Sequence, residues 1–138
     1  LENFLVNAIG PVLCLKHLSS LFPRVGKSVF VSLSARVGSV EDNQLGGWYS
    51  YRSSKAALNM LLKTAAVEYS RRNRNVKLIA FHPGTTDTAL SKPFQSAVRA
   101  KRLFTPDFVA SKLLEIMDSA DIDGELSFLD WQGETVGW

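Results

Sequence analysis

A chain of 138 residues, 46% hydrophobic and 21% charged, is long enough for one domain with a real core and leaves little room for two. Its net charge of +3 and its single cysteine, Cys14, exclude a disulfide scaffold and fit a reducing, cytoplasmic setting. His17 and His82 have no Cys or carboxylate neighbour at metal-ligand spacing, so no metal site is expected.

Residues 2 to 21 read as a helix, because Phe4, Leu5, Ala8, Val12, Leu15 and Leu18 recur at three- and four-residue steps. Pro11 predicts a kink, or a start of regular structure just before it. Cys14 falls in this apolar stretch and is expected to be buried. Pro23 and Gly26 mark a turn, and the β-branched run 29–33 reads as a buried parallel strand. A polar, glycine-containing loop follows over 35–47. A second long helix is predicted from Trp48 to Arg72, with Ala57, Leu58, Leu61, Leu62, Ala65 and Ala66 as its apolar stripe. The next strand is 76–81, stopped by His82-Pro83-Gly84. Residues 85–104 lack periodicity and read as a mobile loop with short helical turns. Thr105-Pro106-Asp107 supplies a capping hydroxyl, a proline at the first helical position and an acid in the first turn, so a helix runs from there to Ser119. Asp123-Gly124 turns into a last strand, Glu125 to Asp130.

Strands alternating with helices predict an α/β fold with a parallel sheet and right-handed crossovers. No run reads as the ~20 apolar residues of a membrane span. The start, Leu-Glu-Asn-Phe, lacks a Met and a basic leader and reads as the middle of a helix, so a truncated chain is expected. Arg71, Arg72, Arg74 and Lys77 form the densest basic run. It reads as a solvated helix end complementing the helix dipole rather than as a nucleic-acid patch.

The strongest chemical signal is Tyr51-Arg-Ser-Ser-Lys55. Positions four apart share a helix face, so phenol and ammonium can open on one cleft. A nearby cation favours phenolate and brings the phenol closer to a working acid–base group. Alone, this spacing also fits a surface tyrosine resting on a lysine stem.

Three further elements flank the pair in order: Asn7-Ala-Ile-Gly10-Pro11, Val31-Ser-Leu-Ser-Ala-Arg-Val-Gly38-Ser39 and His82-Pro-Gly84-Thr-Thr-Asp-Thr88. Together they resemble the short-chain dehydrogenase/reductase family over nearly the whole chain. The longer loop before Tyr51 and the Trp-rich end resemble the C-factor/sniffer-type carbonyl reductases in particular. The resemblance implies that residues 1–138 are the C-terminal half of one dinucleotide-binding reductase domain. That half is a partial doubly wound (Rossmann-like) parallel sheet with helices on both faces, its N-terminal strands missing. It implies NAD(P)-dependent interconversion of a small carbonyl or alcohol substrate, with NADP preferred over NAD. Tyr51 would be the general acid, and Lys55 would lower its pKa and bind the nicotinamide ribose. Asn7 would hold a relay water. Pro83, Gly84, Thr86 and Thr88 would line the cofactor, and the stretch after Thr88 would be the lid.

Where the family pattern has its catalytic serine, three residues before the glycine, this chain has Ala35. Ser34 is assigned the role, with Ser39 as the alternative; without either, transition-state stabilisation falls by about 2 to 3 kcal/mol. Asn7, Pro83, Thr86 and Thr88 each also fit plain structural roles, as solvated helix position, strand stop and local caps. The Gly-rich pyrophosphate turn is absent, so the chain is not expected to hold a dinucleotide tightly alone. The strand at 29–34 would then offer a free apolar edge that invites pairing. Two other readings stand beside the reductase: a non-catalytic signalling or scaffold protein on the same fold, favoured by Ala35, and an isomerase or lyase of the extended branch. The expected partners are the substrate and, in a full-length protein, one or three further copies, as homodimer or homotetramer. No nucleic acid and no membrane are expected. Leu15, Leu18, Leu58 and Leu62 are the interface candidates, against a place in the chain's own core.

Overall fold

The computed structural model describes residues 1–97 and 102–138. In chain order it begins with α1 (Glu2–Phe4), a π-helical stretch (Leu5–Ile9) and α2 (Gly10–Leu18), then β1 (Ser28–Leu33) and α3 (Tyr49–Arg72). There follow β2 (Val76–His82), β3 (Thr85–Thr86), β4 (Leu103–Phe104), α4 (Pro106–Ser119) and β5 (Leu126–Asp130). Short 3-10 turns occupy Ser19–Leu21, Arg36–Gly38 and Lys92–Ala97.

The main sheet is parallel, in the order β1-β2-β5. Leu33 lies beside Phe81, and His82 beside Asp130, so the carboxyl ends of the three strands come together. Alternation along the strands supplies two faces. Leu78, Ala80, Leu126 and Phe128 pack with Ala8, Leu15, Leu58, Leu62 and Ala66. Ile79 and Phe81 pack with Val109, Leu113 and Ile116 of α4 on the other side. Helices therefore cover both faces, as expected. Leu58 and Leu62 are 0% exposed, each worth about 1.5–3 kcal/mol of apolar burial. Thr105 caps α4 by accepting the Phe108 N–H at 3.3 Å.

One edge of this sheet is closed. The C-terminal segment folds back on β5, with the Val136 N–H donating to Phe128 O at 2.8 Å and the Asp130 N–H to Glu134 O at 2.9 Å. The outer edge of β1 has no strand partner among the described residues. The predicted loop over 85–104 contains β3 and β4, paired in parallel, and a 3-10 turn. Its part at 98–101 lies outside the described residues.

Several expectations are corrected. Cys14 is exposed, because the buried stripe of α2 passes through Leu15 instead. Leu15, Leu58 and Leu62 belong to the chain's own core, and of the four interface candidates Leu18 alone is exposed. Helical residues Glu2–Leu21 number 20 with a mean hydropathy of 1.4, long and apolar enough to cross a membrane by length and composition. Ala8 and Leu15 of that stretch are nonetheless buried in the core beside α3.

Lys77 leaves the solvated basic run altogether. It sits in β2, its side chain 3% exposed, with Nζ 2.6 and 2.7 Å from the Asp123 carboxylate oxygens and 3.1 Å from Glu125 O. Burial pushes the Asp123 carboxyl up. The Lys77 hydrogen bond, the Glu125 N–H and the Lys77 charge outweigh that and hold it below its ordinary value. A carboxyl depressed in the folded state adds stability above its unfolded pKa and loses it as pH falls through the folded one. Asp123→Asn should therefore lower the unfolding free energy at neutral pH by about 1 kcal/mol, a figure reduced because the carboxylate is half exposed while Lys77 is buried. In urea denaturation, the gap from wild type should close in acid.

Candidate active site

α3 carries the Tyr51–Lys55 pair to the carboxyl end of β1. Lys55 is 8% exposed, and its Nζ donates to Leu33 O at 2.8 Å. The same ammonium lies 5.9 Å from the centre of the Tyr51 ring. Phenol and ammonium thus share one helical turn over the sheet. Gly38 makes the fit: a Cβ there would lie 2.7 Å from Lys55 Cβ and 2.8 Å from its carbonyl carbon. Only a glycine lets the 3-10 turn after β1 close onto the helix at this residue.

Burial raises the Tyr51 phenol above its ordinary pKa and lowers that of Lys55. This corrects the expectation that the cation lowers the phenol. The ammonium is engaged by the Leu33 carbonyl, and the shift of the phenol comes from loss of water around it.

Asn7 lies in the π-helical stretch, where the Gly10 N–H reaches back to Leu5 O. Pro11 explains the irregularity, since it lacks the N–H that an α-helix would send to the carbonyl of Asn7. The Asn7 Nδ2 donates to Ser54 Oγ at 3.2 Å, and Ser54 Oγ donates to Tyr51 O at 2.8 Å. Asn7 is therefore fastened to the turn between Tyr51 and Lys55.

Ser34 is placed differently from the expectation. Its hydroxyl, 4% exposed, donates to Asn59 Oδ1 at 2.6 Å, one turn beyond Lys55. The Asn59 Nδ2 is buried without a partner. Ser39 is 2% exposed, and its Oγ accepts the Asp42 N–H at 3.0 Å. Ala35 is buried as well. In this structure both serine hydroxyls are engaged inside the fold.

Pro83 and Gly84 follow β2 as a stop. Gly84 has φ +72°, and a Cβ would come within 2.7 Å of Phe104 and 3.1 Å of Trp131. Thr86 Oγ1 is buried and has no partner. Thr88 is exposed, its N–H donating to Ser91 Oγ at 3.3 Å.

Other groups at this end escaped the sequence reading. Arg36 Nη2 lies 3.0 Å from Asp130 Oδ2, and Asp130 Oδ1 accepts the Gln132 and Glu134 N–H groups. His82 stands beside Asp130 in register, its Nδ1 buried without a partner. These residues, with Gly84, Phe104 and Trp131, line a cavity of about 500 Å³. Tyr51 and Lys55 are not in its wall. Trp48, with φ 49°, starts α3 in the left-handed region; its ring meets Phe94 at 5.8 Å and the Arg52 guanidinium at 5.9 Å. The motif His82-Pro-Gly carried a signal for His82. Arg36 and Asp130 are 94 positions apart and gave none.

A parallel sheet with helices on both faces, and a Tyr51–Lys55 turn over its strand ends, define a partial Rossmann-like α/β fold. The chain belongs to the short-chain dehydrogenase/reductase family: the pattern described as short chain dehydrogenase matches residues 2–99. C-signal of Myxococcus xanthus is 30% identical over 140 residues, covering 99% of this chain and 77% of that protein. The 1-hydroxy-2-glutathionyl-2-methyl-3-butene dehydrogenase of Rhodococcus sp. (strain AD45) is 31% identical over 134 residues, covering 96% of this chain and 56% of the enzyme. The structure of the NADPH-bound carbonyl reductase from chicken fatty liver superimposes with a TM-score of 0.83 at 26% identity, covering 100% of this chain and 58% of that one. The chain thus spans little more than half the length of the dehydrogenase and of the reductase.

Burial first, and the Arg36 charge second, pull the His82 ring down to about 4, against Asp130 and Asp42. A base depressed in the folded state leaves stability intact above its unfolded pKa of 6.5 and removes it as pH falls toward 4, because the unfolded chain takes the proton. The loss across that window should be about 2–3 kcal/mol. Urea midpoints measured from neutral pH into acid should fall less steeply in His82→Gln than in wild type.

Proposed function

We propose that the full polypeptide carrying this chain reduces carbonyl compounds with NADPH, Tyr51 giving the proton. The observation that carries this reading is the Tyr51–Lys55 turn seated on the carboxyl end of β1, with the Lys55 ammonium 5.9 Å from the phenol ring. A phenol can donate to a carbonyl oxygen as it gains charge, and the positive charge of Lys55 beside it favours the phenolate left behind. Asn7, fastened through Ser54 to this turn and relieved of an α-helical donor by Pro11, suits the relay that restores the proton.

The residues present fit the nicotinamide end of the dinucleotide. Thr86 Oγ1 is a buried hydroxyl with no partner in the chain, and Lys55 keeps donors beyond the one given to Leu33. Pro83, Gly84 and Thr88 complete that wall. When bound, the cofactor supplies the hydride. The pyrophosphate has no Gly-rich turn here, so its half of the site belongs to the remaining length of such proteins. The NADPH held by the chicken reductase supports NADP over NAD. Ser34 is assigned a positioning role: it holds Asn59, and through it the helix turn after Lys55. A cytoplasmic location and assembly as a homodimer or homotetramer belong to the same proposal. Exposed Ile9, Leu13 and Met60 replace the buried leucines as interface candidates.

A second reading is a non-catalytic signalling protein on this fold. Ala35 at the usual serine position, two buried serine hydroxyls and the likeness to C-signal favour it.

With the full-length protein, NADPH consumption against a panel of aryl and aliphatic carbonyls separates the two. Tyr51→Phe should cut kcat by about 10²- to 10⁴-fold while cofactor affinity stays near wild type. Turnover that survives the change overturns the acid assignment; no turnover by the wild type on any carbonyl favours the signalling reading.

Ser34→Ala should cost about 1 kcal/mol of stability and less than tenfold in kcat. A loss nearer a hundredfold, with the melting temperature unchanged, would return the hydroxyl to the substrate.

A further inference from the structure

At the amino ends of the strands, opposite the Tyr51–Lys55 turn, the connection after α2 and the carboxyl end of α3 enclose a cleft of about 720 Å³. Arg24 enters from one side and Arg71, Arg72 and Arg74 from the other. No acidic residue lines it among the described residues. None of the four guanidinium groups forms an ion pair among the described residues; Glu68, one turn back on α3, stays outside pairing distance. A helix carboxyl end carries about half a negative charge, which one basic side chain offsets. Four arginines exceed that need, and Arg24 comes from a separate part of the chain.

The cleft is held open by structure. Asn75 Nδ2 donates to Pro23 O and, at 2.9 Å, to Gly26 O, which ties the Arg24 loop to the turn after α3. The Ser28 N–H donates to Asn75 O at 2.9 Å, and the Val76 N–H to Asn73 O at 3.0 Å, so both walls are fixed to the sheet. Ser19 and Ser20 add hydroxyl groups at the rim.

We propose that this cleft is a phosphate-binding site, taking the phosphate group of a small phosphate ester or of a phospholipid head. Guanidinium forks match phosphate oxygens two at a time, and four exposed arginines sharing one cleft without acids offer an anion several such forks. Leu21 and Val25, 72% and 88% exposed, flank Arg24 and would meet acyl chains if the phosphate belongs to a lipid.

The test uses the full-length protein at fixed ionic strength. Glycerol 3-phosphate is titrated by calorimetry, and vesicles of phosphatidylcholine with phosphatidylglycerol are followed by co-sedimentation. Arg24→Gln/Arg74→Gln is compared with Lys92→Gln/Lys112→Gln, which removes the same charge elsewhere. Wild type and the lysine variant should bind saturably, and the arginine variant about tenfold more weakly with an unchanged melting temperature. Binding of the vesicles in preference to the ester assigns a lipid head; binding of the ester alone assigns a soluble ligand; either upholds the site. No saturable binding to either probe, or equal loss in the two variants, overturns it. Should Arg24→Gln/Arg74→Gln melt early, Arg71→Gln/Arg72→Gln on the exposed last turn carries the same comparison. These readouts do not depend on reductase turnover, so the two proposals fail separately.

Discussion

The ammonium of Lys55 and the carbonyl of Leu33 hold the Tyr51–Lys55 turn to the sheet, and the geometry of the rest follows from that contact. Leu33 is the last paired residue of β1, and because the Ser34 N–H takes the Phe81 carbonyl, Leu33's own carbonyl is left for the Lys55 ammonium. A buried lysine reaching it sets how far α3 slides along the sheet. Three neighbouring features hold the same register. Gly38 removes the side chain that would push the helix away, Ser34 grips Asn59 one turn on, and Leu58 and Leu62 fill the core beneath. An uncompensated ammonium this deep would cost several kcal/mol, which is why the site and the fold cannot be separated here.

The long elements were legible because their signals are local. Helices with apolar stripes, strands with β-branched runs and the Thr105-Pro106 start all speak through spacing within one segment. Asn7, Tyr51 and Lys55 were legible as motif residues, and Asn7 meets the tyrosine's turn through Ser54. What escaped depends on distant partners. Lys77 reads as one more charge in a basic run until β2 places it against Asp123. Cys14 and Leu15 are adjacent, and the phase of the buried face across the π-helical stretch decides which goes inside. The direction of the Tyr51 shift was misread for a related reason. Spacing gives proximity to a cation but not the loss of water that accompanies a buried seat.

The two edges of the sheet differ in kind. The chain's own C-terminal segment closes β5, with Val136 buried and Trp138 packed on Phe128 at 5.5 Å. Among the described residues β1 has no strand on its outer side, and it carries Val29 and Val31, an arrangement that pairs readily with another strand. The buried Asn59 amide without a partner lies near that strand's carboxyl end, joined to it through Ser34. Both features are those of a surface built to be covered. The relatives are longer than this chain, and further sheet on the β1 side would meet the backbone ladder there.

α3 connects the two ends of the molecule. Its 24 residues extend about 36 Å, from the strained start at Trp48 beside the Tyr51–Lys55 turn to the arginines of the opposite cleft. A continuous helix locked by Leu58, Leu62 and Ala66 has no second packing to switch into, and coupling between sites needs an element with two arrangements. An anion at the arginine end would therefore leave the Tyr51–Lys55 turn where it is. Its effect would be on how the end of α3 resists unfolding, because it would relieve the repulsion between Arg71 and Arg72 on the last turn and the arginines beside them.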